Sequence, residues 1–354
     1  MRKLAYLFLF IFACTSAFAQ VNDPEAKKLF EQGINEHDNG NYDKAISLYE
    51  QALEIEPGNE VIIYEMGYTY SALKNYQKVV SLISAQIEKG VKNPDMYVLL
   101  GNVYDEMNDP YKSIETYKAG LEKFPNSGVM YYNYGITLAK QKEMEKALGK
   151  FEKGIAVDPA YPSNFYMAAK LLDGSSQSIW SVLYGEIYLN LIPDNARAEE
   201  LSKMIYDFYA SRIKKTDDGY TVSVNPFNSL GDKDRVNLQG RYEMYSLLGV
   251  TALQEYGLNL DGFAHLRDVI AKLWTEKNEP QYQNILFDRQ KQLMDMNKDY
   301  LTCYNYLILA YADPDSFSAW YDKNKSTFDA FAEWMADHPL KFTAGSKYYR
   351  QQYE

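Results

Sequence analysis

Histidine is the side chain best suited to proton transfer near neutral pH, and this chain has three: His37, His265 and His338. No two of them stand in a metal-binding spacing such as His-x-x-x-His. His265 lies between Phe263 and Leu266 in a helical pattern, where a structural role competes with a catalytic one. Glu186 closes Trp180-Ser181-Val182-Leu183-Tyr184-Gly185-Glu186, an acid among aromatics that would cap, pair with a cation or serve in a pocket. An enzyme in the C-terminal half would need Glu186, His265 or Asp299 to converge. Asp313-Pro314-Asp315-Ser316 lacks the later glycine and glutamate of a calcium loop and reads as a helix cap. There is no Gly-rich phosphate loop and no Gly-x-Ser-x-Gly elbow. The expectation is therefore a protein with no catalytic, cofactor or metal site, working by binding.

The N-terminus bears on where it works. Arg2 and Lys3 precede the apolar run Leu4 to Ala13, and Ala17-Phe18-Ala19 supplies a small-x-small cleavage pattern. Residues 1–19 are expected to be a signal peptide, the run being too short to cross a membrane. Export to a bacterial periplasm follows, with a lipoprotein attached through Cys14 as the alternative, against which Phe12 is bulky. Cys303 is then the single cysteine of the mature chain, which rules out an internal disulfide. Its neighbours Tyr300, Leu301, Tyr304 and Leu307 predict a buried thiol. A net charge of −11 repels phosphate backbones and anionic lipid heads, which argues against nucleic acid as a partner.

What positions the binding residues is a repeat. Pro57, Pro125, Pro159 and Pro193 are separated by 68, 34 and 34 residues, and Gly33, Gly67, Gly101 and Gly135 share that period. Tyr97-Val98-Leu99-Leu100-Gly101-Asn102-Val103-Tyr104 carries a large-x-x-Leu-Gly-x-x-Tyr pattern, and Ile63 to Tyr70 nearly repeats it. Ala45-Ile46-Ser47-Leu48-Tyr49 and Ala147-Leu148-Gly149-Lys150-Phe151 carry Ala-x-x-x-aromatic. On these residues the sequence resembles the tetratricopeptide repeat, a helix-turn-helix of 34 residues. Glu36 and Leu138 depart from the tyrosine, and Val79 and Ser113 from the alanine. The small residues would let paired helices approach, and Tyr49, Tyr104, Tyr117 and Phe151 would fill the space between repeats.

The expected architecture is all-α: a repeat solenoid over 24–193, then an α-helical C-terminal domain over 194–354. The repeats are 24–59, 60–93, 94–127 and 128–161, with a divergent fifth at 162–193. In the second half Ala196 to Lys214 reads as one helix, followed by a short alternation at Tyr220 to Val224 and a loop or small hairpin at Asn225 to Gly231. Helical patterns then run over Asn237 to Tyr256, Gly262 to Glu276, Tyr282 to Met296, Asp299 to Tyr311, Phe317 to Asn324 and Thr327 to Asp337.

The resemblance implies that the first helices line a concave groove that binds a peptide or partner protein. By phase, the groove places include Phe30, Ile34, Tyr64, Tyr68, Val98, Asn102, Tyr132, Ile136, Tyr166 and Lys170. The chain is rich in tyrosine, 33 against 4 Trp and 16 Phe, and such rings suit contact surfaces, although a tyrosine stripe also serves as core. Cochaperones of this family clamp a C-terminal carboxylate with cations. Here Phe30, Ile34, Glu65, Asp95 and Leu99 stand in the comparable places, so that mode is not expected. A second class of function is glycan binding, which exposed faces of Trp180, Trp274, Trp320 or Trp334 would favour.

Overall fold

The 34-residue period becomes helix pairs because each pair repeats one turn and one close contact. The computed structural model describes residues 21–223 and 238–353, and chain contacts divide it into two units between Asp158 and Pro159. The first unit holds α1 (Pro24–Asp38), α2 (Tyr42–Ile55), α3 (Glu60–Ala72), α4 (Tyr76–Glu88), α5 (Asp95–Glu106), α6 (Pro110–Lys123), α7 (Gly128–Lys140) and α8 (Met144–Val157). The signal peptide and Cys14 lie outside the described residues. Among the described residues no helix is long and apolar enough to cross a membrane.

Inside each pair the turn passes through a left-handed residue: Gly40, Lys74, Asn108 and Lys142, each 34 residues after the last. There the chain reverses while freed carbonyls are recaptured: the amide of Asn75 reaches the Tyr70 carbonyl at 2.9 Å and that of Glu143 reaches Leu138 at 3.0 Å. Helix starts are capped at the same period. The Asn59 side chain accepts from the Val61 amide at 3.0 Å, Asn93 from Asp95 at 2.9 Å and Ser127 from Met130 at 3.3 Å.

Between the two helices of a pair the repeat glycine meets the large residue of its partner. A Cβ on Gly101 would lie 2.4 Å from the Tyr117 ring, and one on Gly135 would lie 2.5 Å from Phe151. The alanine-register positions Ala45, Val79, Ser113 and Ala147 are all fully buried, which explains how valine and serine are accommodated. Ser113 finds a partner for its hydroxyl in Thr137 at 3.3 Å, so its polarity is not stranded. Odd-numbered helices touch in series, α1 with α3, α3 with α5 and α5 with α7, forming one continuous face.

The second unit begins with the fifth helix pair, α9 (Ser163–Leu172) and α10 (Ser178–Leu191). Helix α10 is buried on all sides, every residue from Ser178 to Leu189, which its mean composition of Ile, Val, Leu, Trp and Tyr permits. Around it pack α11 (Ala196–Ala210), α12 (Leu238–Gly249) and α15 (Ile285–Met296). The remaining α-helices described in the unit are α13 (Ala252–Tyr256), α14 (Leu260–Lys277), α16 (Tyr300–Leu309) and α17 (Pro314–Asp337).

Three boundaries differ from the sequence expectation. The helix expected to Lys214 ends at Ala210, and β1 (Ile213–Thr216) pairs antiparallel with β2 (Gly219–Val222). The turn is Asp217-Asp218 with Gly219 at φ +138°, and Ile213 is buried. The hairpin therefore precedes the Asn225 to Gly231 stretch, which lies outside the described residues. The expected Asn237 to Tyr256 helix breaks after Gly249, where the Thr251 hydroxyl takes the Leu248 carbonyl at 3.0 Å. Conversely, the two helices expected at Phe317 and Thr327 are one, α17, kinked at Asn324, whose amide side chain takes the Trp320 carbonyl at 2.9 Å.

Candidate functional site

Two arrangements stand out: the face of the odd helices in the first unit, and a buried polar network in the second. On the first, α3 places Tyr64 and Tyr68 one turn apart, so their rings stack at 6.4 Å and 12° between planes. His37 of α1 continues the stack onto Tyr68 at 5.2 Å and shares a 2.8 Å hydrogen bond with the Thr69 hydroxyl. Tyr68 is 49% exposed, while burial pushes the Tyr64 hydroxyl above its ordinary range, with Asp95 and Glu65 adding to the rise. Phe30 and Ile34 are half-buried and pack on the core of Ala45, Ile46, Tyr49 and Ala52. Val98, Tyr132 and Ile136 are half-buried too, with Tyr132 6.0 Å from Phe151. Asn102 accepts a hydrogen bond from the Tyr117 hydroxyl at 2.7 Å.

Glu65 and Asp95 interrupt this aromatic face. Both are half-buried, and burial raises both carboxyls above the usual range; Asp38 and Asp95 push Glu65 further. Asp105, by contrast, pairs with Lys140, and Glu36 pairs with Lys44 at 2.6 Å.

The remaining two expected groove residues belong to the second unit. The Tyr166 hydroxyl and the Lys170 ammonium both bond Glu200 of α11, and the charge of Lys170 helps hold that carboxyl below its usual range. Eight of the ten expected groove residues thus share a unit and two do not. Near Tyr166 a cleft of about 360 Å³ opens between Pro162, Ser163, Tyr188, Ile192, Asn195 and Arg197. Arg197 lies over the Tyr166 ring at 4.7 Å and donates to the Ser163 hydroxyl at 3.0 Å.

The acid expected to cap, pair or catalyse, Glu186, pairs. Its carboxylate receives Arg267 at 2.6 Å, the Tyr304 hydroxyl at 2.8 Å and the Gln290 amide at 3.0 Å. Arg267 also donates to Asn305 at 2.9 Å and to the Tyr209 hydroxyl at 3.2 Å, and Tyr209 shares a 2.5 Å bond with Tyr242. Asn305 in turn donates to Asp268 at 2.7 Å, which also takes the Thr302 hydroxyl at 2.6 Å. Burial opposes the charge on Arg267, but Glu186 overrides it and keeps the guanidinium firmly charged. Burial likewise lifts the Tyr209, Tyr242 and Tyr304 hydroxyls, which leaves them protonated donors.

His265 and Asp299 do not join this carboxylate. His265 bonds the Asp261 carbonyl of its own helix at 2.8 Å and stacks on Tyr256 at 3.6 Å, whereas Asp299 is exposed at the start of α16. The Cys303 thiol is buried and pushed up to about 12 by that burial, reinforced by Asp299. Asp313 caps α17, accepting from the Ser316 amide at 3.1 Å and hydroxyl at 2.7 Å. Trp180 and Trp274 are core residues, Trp320 stacks on Tyr306 at 3.9 Å and Trp334 on His338 at 4.5 Å. Trp180 and Trp274 therefore offer no open indole face, whereas Trp320 and Trp334 are half-buried with one face stacked.

The network escaped sequence reasoning because its members lie far apart in the chain: 81 residues from Glu186 to Arg267 and 118 to Tyr304. The stack of His37 on Tyr68 was not legible either, because the two are 31 residues apart, out of register with the 34-residue repeat.

Models of the tetratricopeptide repeat match residues 36–103 and 98–164. No curated protein sequence matches the chain. Among solved structures, a tetratricopeptide-repeat protein of Thermus thermophilus, TTC0263, is similar with 15% identity and a TM-score of 0.42, covering 51% of this chain and 98% of that one. MamA aligns at 19% identity and a TM-score of 0.38, over 45% of this chain and 93% of its own. YrrB, described as a TPR protein with an unusual peptide-binding site, aligns at 19% and 0.36, over 50% and 92%. Paired helices, a left-handed turn every 34 residues and two matching segments make residues 36–164 of this chain tetratricopeptide repeats.

Proposed function

We propose that this is an exported interaction protein, without catalytic activity, whose first unit grips an extended segment of a partner protein along the face of its odd helices. One observation carries the reading: the His37, Tyr68 and Tyr64 rings form a stacked ladder that Tyr68 leaves half open to solvent. Rigid rings with polar tips lose little entropy on binding and are favoured at contact surfaces. Catalysis has less support, since Glu186 is saturated by Arg267, Tyr304 and Gln290, and neither His265 nor Asp299 reaches it. Export to the periplasm rests on Arg2-Lys3, the Leu4 to Ala13 run and Ala17-Phe18-Ala19, with attachment through Cys14 as the alternative.

The test is chemical cross-linking in the native host, followed by identification of proteins bound to wild type and to a Tyr64→Ala/Tyr68→Ala/Tyr132→Ala variant. The variant should lose most specific partners while keeping its melting temperature within a few degrees. An unchanged partner set would remove the groove from the account. N-terminal sequencing of the protein from fractionated cells decides the export reading: a chain that still begins at Met1 and stays in the cytoplasm contradicts it.

A further inference from the structure

We propose that the tyrosine face of the first unit takes a lysine or arginine side chain from its partner segment, seated between the Tyr64–Tyr68 stack and the carboxylates of Glu65 and Asp95. The proposal rests on the interaction reading above and specifies the chemistry of what is held.

Charge complementarity argues for it. Glu65 sits in the middle of α3 and Asp95 at the first residue of α5, both half-buried, and neither has an ion-pair or hydrogen-bond partner for its carboxylate among the described residues. The neighbouring Asp38 adds a third negative charge near Glu65. Helices α3 and α5 themselves carry no Lys or Arg, while on the other odd helices Lys140 pairs with Asp105 and Lys27 with Glu31 at 3.9 Å. Partly buried acids facing one another without a cation oppose folding, and burial accordingly holds both carboxyls above their usual range. A fold selected only for stability would pair them; a surface that receives a cation has reason to leave them open.

The rings say what kind of cation. The stacked tyrosine pair lies beside the carboxylates with Tyr68 half exposed, which suits a long, amphipathic side chain whose stem lies along the rings. A guanidinium fits best, since it offers a planar fork to a carboxylate. A bare metal ion fits poorly, because among the described residues no three ligating side chains gather. The chain's net charge of −11 would also draw a basic segment in from a distance.

The experiment is selection of random twelve-residue peptides displayed on phage against the purified full chain. Wild type is expected to enrich Lys and Arg several-fold over the starting library, at one or two fixed positions flanked by apolar residues. Glu65→Gln/Asp95→Asn, which keeps size and shape, should return basic residues to library frequency. A selected peptide should bind this variant at least tenfold more weakly by fluorescence anisotropy. Basic enrichment that persists in the variant overturns the assignment to this face. Enrichment of peptides without basic residues overturns the cationic partner yet leaves the groove reading standing. No enrichment, or enrichment that survives Tyr64→Ala/Tyr68→Ala, overturns the groove reading and this proposal with it.

Discussion

Glu186 and Arg267 face each other at 2.6 Å, each only 2% exposed, and this ion pair ties α10 to α14 at the centre of the second unit. Two charges survive there because their remaining hydrogen-bonding capacity is met by Tyr304, Gln290, Asn305 and Tyr209. Removing one partner strands the other. Glu186→Ala and Arg267→Ala should each cost about 3–5 kcal/mol, read from denaturant unfolding of the full chain. The double variant should cost clearly less than the sum of the two. Strict additivity would mean that the pair is not a unit.

The pair turns offer an opposite change. Lys142 holds φ +63° at the place where the first repeat has Gly40. A left-handed conformation costs a side-chain-bearing residue roughly 1–2 kcal/mol, against about 0.5–1 kcal/mol of extra chain entropy for glycine. Lys142→Gly should therefore stabilise the first unit by about 0.5 kcal/mol, and Lys142→Ala should not. A melting temperature lowered by the glycine would show that the lysine earns its place through contacts instead.

Close approach between paired helices makes the repeat glycine intolerant. In Gly101→Ala the new methyl would meet the Tyr117 ring, which is itself fully buried and bonded to Asn102. The cost should be about 1–3 kcal/mol, and Gly101→Ala/Tyr117→Leu should recover part of it. Gly149→Ala is the control, since a Cβ there meets nothing within 4 Å. Equal destabilisation at both sites would point to backbone effects, not packing.

Glu65 makes stability depend on pH in an unusual direction. Folding raises its carboxyl above the ordinary 4.5, so the charged form opposes folding. That penalty is present in full above the folded value and absent below the unfolded one. The groups acting on it or feeling its charge are Asp38 of α1, Tyr49 of α2, Tyr64 of its own helix and Asp95 of α5. Glu65→Gln should be more stable than wild type at pH 7, by on the order of 0.5 kcal/mol after solvent screening. The advantage should fade as pH falls towards 4.5. A difference that stays constant across that range would mean the carboxyl titrates normally in the fold.

The sequence by itself determined the first unit, because everything that makes a repeat is local. Gly101 and Gly135 share the 34-residue period with Gly33 and Gly67, so pattern alone placed the repeats and their small and large residues. The structure showed that Tyr117 meets the glycine of its own pair, sixteen residues away, where the sequence put it between repeats. Pattern also placed Tyr64 and Tyr68 on one face, since residues four apart on a helix are neighbours. Only the tertiary structure decided what Glu186 does, for its partners arrive from α14, α15 and α16, and no periodicity links them. Likewise only packing revealed that Glu65 and Asp95, one repeat apart, share a half-buried face without a cation between them. Helical spacing is short-range geometry and can be read from a string of residues. Which charges are paired depends on desolvation and on contacts across the fold, and those exist only once the chain has closed on itself.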